Sequence, residues 1–231
     1  MIKTYSGIVI RQTKTTGGRR MILIFTREEG KISAGTHISE KSKGGAALAI
    51  RPFTYGHYTM TEKSAGIRSI SSAETLDAHF ALGSDAERFT EASFALEITE
   101  KVLPEGAGAP EIFDLLNDYL SLLAKRKTDF RLLTVSYLIK MMRELGVFPD
   151  PDLLPEFAAS GMGGRLISEL NDDILNIIVF IAEQPLERID ALTLEAEKEK
   201  LVFGLVMALA NEYLELGTVK SERMLSQGSV S

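Results

Sequence analysis

Met21-Ile22-Leu23-Ile24-Phe25-Thr26, followed by Arg27-Glu28-Glu29-Gly30 and then Lys31 to Ile38, carries the strongest fold signal in the chain. The first six residues are apolar, β-branched and aromatic, which suits a short strand buried on both faces. Arg27 to Gly30 reverses the chain, with Gly30 supplying a positive φ at little steric cost, so that Lys31 to Ile38 returns as a second strand. Upstream, Lys3 to Arg11 contains the apolar run Gly7-Ile8-Val9-Ile10, and a polar Gly-Gly turn, Thr13 to Gly18, joins it to Met21. Downstream, Ser39 to Gly45 is a basic loop and Ala46 to Ile50 a single helical turn stopped by Pro52. Phe53 to Thr61 and Ile67 to Asp77 complete the set as strands joined by Glu62 to Gly66. Five strands with a short helix between the third and fourth is the order of an OB-fold barrel.

From Ser84 the apolar period changes from two to 3.6 residues. Asp85 to Val102 places Phe89, Ala92, Leu96 and Thr99 or Val102 on one stripe, and Pro104 ends it. Ala109 opens a second helix with Pro110 at an early position and Phe113, Leu116, Tyr119, Leu120 and Leu123 at helical spacing. A third runs from about Phe130 to Leu145. Gly146 to Gly164 reads as a loop, Asn171 or Asp172 can N-cap the next helix through Glu183, Pro185 starts a short helix, and Thr193 to Leu216 carries the last long one. The expected class is α+β: a five-stranded OB-fold β-barrel in residues 1–80, then an all-α helical domain in residues 81–231.

The 231 residues contain no cysteine, which excludes disulfides, cysteine zinc ribbons, iron–sulfur clusters and a thiolate nucleophile. Gly7 to Ile10 is too short for a signal-peptide core, and Leu201 to Ala210 is about half the length needed to span a bilayer, so a soluble, cytoplasmic protein with no membrane partner is expected. Net charge is −6, unevenly distributed: residues 1–80 carry 12 Lys+Arg against 6 Asp+Glu, and the remainder 14 against 26. A basic barrel ahead of an acidic helical part suggests that the barrel faces a polyanion.

The chain carries no G-x-S-x-G elbow, no H-E-x-x-H and no phosphate loop. Gly161-Met162-Gly163-Gly164 follows a proline-rich loop rather than a strand and reads as a turn. His37, His57 and His79 lack the spacing of a shared metal site, and Glu195, Glu197 and Glu199 alternate with Lys198 and Lys200 as a solvated helix face does. No cofactor and no catalytic residue is expected.

The positive signal lies in the barrel connections. Lys14, Arg19 and Arg20 surround the first hairpin, Lys41 and Lys43 precede the fourth strand, and Lys63 and Arg68 flank the last hairpin, where the loops of an OB-fold meet a phosphate backbone. Each alone is an ordinary solvated charge; together they define candidate DNA-binding residues. Tyr55 adds a surface on which a base could stack. Phe53 shares its face by strict alternation but reads as core, and Tyr58 opposes both unless Gly56 makes a bulge.

Several segments, in order, resemble one family: Ser6 to Arg11, Ile22 to Ser33, Lys41-Ser42-Lys43 with Arg51-Pro52-Phe53, Glu74 to Ala78, Phe113 to Leu116, and Arg143 to Gly146 with Pro149. The pattern is similar to that of the bacterial DNA repair protein RecO family. The resemblance implies an OB-fold and a helical domain in a non-enzymatic recombination mediator. Such a protein binds and anneals single- and double-stranded DNA, and works with RecR and the single-stranded-DNA-binding protein to load RecA. Many members carry a four-cysteine zinc site after the segment matching Leu145-Gly146; here Pro149 to Arg165 has no cysteine, so the zinc module is absent.

A second basic cluster stands out in the acidic half. Lys125, Arg126, Lys127, Arg131, Lys140 and Arg143 fall within 19 residues containing a single acid, Asp129. One reading is a helix end whose cations cap the macrodipole. The other is that Lys125, Arg126, Lys127 and Arg131 hold the acidic C-terminal tail of the single-stranded-DNA-binding protein, with Lys140 and Arg143 acting separately on DNA. Against the mediator stand two rivals: a helical adaptor whose OB-like barrel binds protein, and an enzyme with an unrecognised histidine–metal site.

Overall fold

The computed structural model describes residues 2–15, 19–38, 45–62, 66–159 and 171–221. Five strands, β1 (Ile2–Lys14), β2 (Arg20–Thr26), β3 (Gly30–Thr36), β4 (Tyr55–Glu62) and β5 (Arg68–Asp77), close in the order β1-β2-β3-β5-β4, with β4 returning to β1. Helix α1 (Gly45–Ala49) lies between β3 and β4, completing an OB-type barrel. The parallel β3–β5 seam is short, running only from Ala34↔Arg68 to Thr36↔Ile70.

One long strand turns the barrel's corner. The first half of β1 pairs with β4 and the second half with β2, and the register shifts between Val9 and Arg11, a bulge that re-aims the chain. Alternation then sorts the side chains. Tyr5, Val9, Ile22, Ile24, Ile32, Tyr58 and Met60 fill the barrel, which α1 plugs with Ala49 while the Tyr58 hydroxyl donates to the Ala49 carbonyl at 2.6 Å. Ile8, Ile10, Leu23, Phe25 and Phe53 point outward, into the core of the helical part. From Ile22 to Thr26 the strand is buried on both faces, as its composition predicts, because a different core lies on each side, whereas Met21 at its start is exposed.

Helices α2 (Phe80–Ser84), α3 (Ala86–Val102), α4 (Pro110–Lys125), α5 (Phe130–Glu144), α6 (Leu154–Ala159), α7 (Asp172–Glu183), α8 (Leu186–Ile189) and α9 (Ala196–Tyr213) follow. Helix α5 is the axis of the bundle, buried on nearly every side and packed by α3, α4, α7, α8 and α9. The apolar stripe expected for α4 is fully buried, and Asn171 caps α7 by accepting from the Ile174 amide at 3.1 Å. The barrel docks through Phe25 and Tyr55, which meet Phe113 edge-on at 5.6 and 5.9 Å, and through a bidentate Arg27–Asp114 pair.

Several boundaries differ from expectation for local reasons. The fourth strand starts at Tyr55 rather than Phe53 because Phe53 takes a left-handed φ of 72°. Helix α2 goes unannounced in the sequence, being shorter than two periods. Within the region read as loop, Pro151 starts a 3-10 turn (Pro151–Leu153) that runs into α6, proline being preorganised for a first helical position. Phe89, expected in the stripe of α3, is 44% exposed, while Glu91, Phe94, Ala95 and Ile98 join Ala92, Leu96 and Thr99 in the core, since α3 is covered by the barrel on one side and α5 on another. The last helix is shorter at both ends than expected. Glu199 is half-buried rather than solvated, and burial raises its carboxyl above the usual range.

Candidate nucleic-acid interface

The antiparallel register sets Lys14 opposite Arg20, and the hairpin is closed by the Thr15 amide and hydroxyl, both donating to the Arg19 carbonyl at 2.8 and 2.9 Å. Lys14 and Arg19 are exposed and Arg20 half-buried. Neither Lys14 nor Arg19 has an ion-pair partner among the described residues, so their positive potential faces solvent uncompensated. This is the cluster that the sequence places together and that the structure does bring together.

The other barrel candidates part company. Arg68 lies elsewhere, 2.9 Å from Glu29, whose second oxygen accepts from Lys3 at 2.9 Å and from the Tyr5 hydroxyl at 3.1 Å. The Lys3 hydrogen bond, aided by Tyr5 and the Arg68 charge, holds the Glu29 carboxyl below its usual range. Arg68 thus belongs to a strand-end ion network, which does not fit its expected role as a free phosphate contact. Tyr55, expected to offer a base-stacking surface, lies half-buried against Phe113, between barrel and helices. The bulge lies on β5 between Thr75 and Asp77, not on β4, so Tyr58 stays inside the barrel. Lys41, Lys43 and Lys63 lie outside the described residues.

The second cluster is reassigned. Arg126 is sealed inside the bundle, where its guanidinium donates to the carbonyls of Thr128, Asp190 and Leu192 and to Asp190 Oδ1. Arg131 stacks over the Phe203 ring at 5.0 Å and stands 3.9 Å from Glu91. Both arginines are committed inward, so they form no anion contact with Lys125 and Lys127, which alone face solvent. Lys140 donates to the carbonyls of Ile181 and Gln184, and Arg143 to that of Ala182; they cap the C-terminal end of α7 and do not form a DNA-facing pair.

Sequence reasoning missed a buried polar seam. Glu91 lies wholly inside the bundle with the Thr134 hydroxyl beside it; Thr134 bonds the Tyr119 hydroxyl at 2.8 Å, and the Tyr137 hydroxyl meets Thr99 at 2.6 Å. Burial, only partly offset by Thr134 and Arg131, pushes the Glu91 carboxyl up to about 7. A glutamate in the middle of an apolar helix face was the available signal.

The histidines stay apart. His57 bonds Ser6, while His79 is buried between the Phe53 carbonyl and Ser121. Among the described residues no group of three His, Cys, Asp or Glu gathers to hold a metal, and no helix is long and apolar enough to cross a membrane. The family's zinc site does not fit this chain, whose cysteine count is zero.

An OB-type barrel with a cationic hairpin, docked on an all-α bundle, defines the class of protein. Family models for the N terminal and C terminal parts of recombination protein O match residues 1–79 and 83–152. The chain belongs to the RecO family. Curated relatives include the DNA repair protein RecO of Alkaliphilus metalliredigens (strain QYMF), 28% identical over 149 residues, 64% of this chain and 60% of the relative. The protein of the same name from Bacillus cereus (strain B4264) is 29% identical over 149 residues, 64% and 59% of the two chains. The match therefore spans about three fifths of the relatives' length, and residues 153–231, with α6 to α9, lie beyond both family models.

Proposed function

We propose that this chain is a non-enzymatic, DNA-binding recombination mediator of DNA repair, in which the barrel holds single or double strands. Lys14, Arg19 and Arg20 neutralise phosphates, lowering the repulsion between strands that are to anneal. Family membership supports partnership with RecR and the single-stranded-DNA-binding protein, and through them assistance to RecA, in the cytoplasm. Lys125 and Lys127 remain the solvent-facing candidates for an acidic partner segment. The observation carrying the reading is the hairpin, where Lys14 and Arg19 face solvent without counter-ions among the described residues although the whole chain has a net charge of −6.

The test is DNA binding across a salt series. Lys14→Glu with Arg19→Glu should weaken binding to every sequence and flatten the plot of log affinity against log salt by roughly 1.5, about 0.7 to 0.9 for each phosphate no longer neutralised. Unchanged affinity and slope in a variant with native circular dichroism removes the hairpin from the interface. A wild-type protein that binds partner proteins but no DNA favours the adaptor reading.

A further inference from the structure

A groove runs along the junction of barrel and helices. Two confluent cavities of about 420 and 600 Å³ share Gln12, Pro52, Phe53 and Phe89, and β1 leads from this floor directly to the Lys14 hairpin. Phe80 is 67% exposed and Phe89 44%, and the Phe89 ring meets Phe53 at 89° with centroids 5.6 Å apart. Apolar rings left in water at one spot mark a surface that the fold itself does not use.

The position of these rings is held by unusual backbone. Phe53 (φ 72°) and His79 (φ 43°) are both left-handed without being glycine, and they are joined by a hydrogen bond from His79 Nδ1 to the Phe53 carbonyl at 2.9 Å. The His79 amide also donates to Asp77 Oδ1 at 2.8 Å, so Phe80, the next residue, projects from a fixed point. Strain of this kind persists where the surrounding structure over-determines it, and it concentrates at binding sites.

The charges favour an anion. Glu100 is paired with Arg11 at 2.8 Å, and Glu97 is consumed by the Lys220 amide and by the Ser221 amide and hydroxyl. Arg51 and Lys220 are exposed on the rim with no ion-pair partner among the described residues. Aromatic platforms between uncompensated cations, continuous with a cationic hairpin, are what unpaired bases and their phosphates require.

We propose that this groove is a track for single-stranded nucleic acid, with Phe80 and Phe89 stacking on bases and Arg51 and Lys220 meeting phosphates. The inference rests on the DNA-binding reading above and adds to it a strand preference located away from the hairpin. A duplex keeps its bases stacked internally and can use only the hairpin.

The experiment compares a labelled oligo(dT) with a duplex of equal length by fluorescence anisotropy. Phe80→Ala or Phe89→Ala alone should each weaken oligo(dT) binding about five- to a hundredfold, the loss expected for one stacked base, the double variant should lose more than either, and all should change duplex affinity by less than about twofold. Because the chain has no tryptophan, Phe80→Trp supplies a reporter in an otherwise native groove, and its emission should be quenched by oligo(dT) but not by duplex. Equal losses on both DNAs, or no loss on either, overturn the track while the hairpin reading stands. Quenching by an acidic, apolar peptide instead of oligo(dT) makes the groove a protein site and overturns it too. A wild-type protein that binds neither DNA removes both readings together.

Discussion

Arg126 Nη1 donates to Asp190 Oδ1 at 3.0 Å, with the arginine side chain only 5% exposed. The contact joins the end of α4 to the turn that follows α8, bridging residues 64 apart in sequence. Lys140 and Arg143 make equivalent ties from α5 to the last carbonyls of α7. Three cations of the basic cluster thus fasten the family-matched part of the chain to helices beyond it.

Arg126→Met should therefore destabilise the protein by about 3 kcal/mol, because the carbonyls of Asp190 and Leu192 lose their donor and the shape is only partly replaced. Urea unfolding of this variant, set against exposed Lys125→Met as control, measures the difference. A loss below about 0.5 kcal/mol, typical of surface sites, would contradict the assignment.

Glu91 makes stability depend on pH in the direction opposite to an ordinary paired carboxylate. Its folded value of about 7 lies above the unfolded value of 4.5, so between these limits the native state binds more protons than the unfolded chain. Stability falls as pH rises through that window, by up to about 3 kcal/mol, and is least above it. Arg131 opposes the effect, while Glu87 and Glu199 reinforce it. Glu91→Gln should flatten the profile and melt higher than wild type at pH 8; a variant with an unaltered slope between pH 5 and 7 defeats the account.

Gly30 is the tightest point of the seam between barrel and helices. At φ 69° a Cβ here would stand 2.0 Å from the Ala107 carbonyl oxygen, which is backbone and cannot swing aside. Gly30→Ala should cost about 2 to 4 kcal/mol and lower the melting temperature by roughly 5 to 15 °C. A calorimetric scan showing a shift under about 2 °C would mean that the seam yields.

A fragment of residues 1–78 should not persist as a stable monomer. Removing the helices uncovers Ile8, Ile10, Leu23, Phe25 and Tyr55 together, a patch far larger than a soluble monomer normally exposes. Sedimentation and amide exchange on the fragment check this: a monomer with strong protection in β2 would establish that the barrel stands alone.

Periodicity and turn chemistry alone determined the succession of five strands, the short helix after the third, the change from a period of two to helical period after the fifth, the early proline of α4 at Pro110 and a cap for α7 at Asn171 or Asp172. Each depends on residues close together in the chain, and local backbone preference with one-sided burial suffices to produce it. The Lys14 hairpin was legible for the same reason, since a tight turn brings sequence neighbours together. Only the tertiary structure decided the rest. Whether Tyr55 stacks on a base or on Phe113, whether Arg126 meets an anion or a carbonyl 64 residues away, and whether Phe89 is core or groove rim all depend on which surfaces the docked helices cover. A charge or a ring has the same intrinsic properties in either setting; burial, set by contacts distant in sequence, selects between structural tie and exposed site.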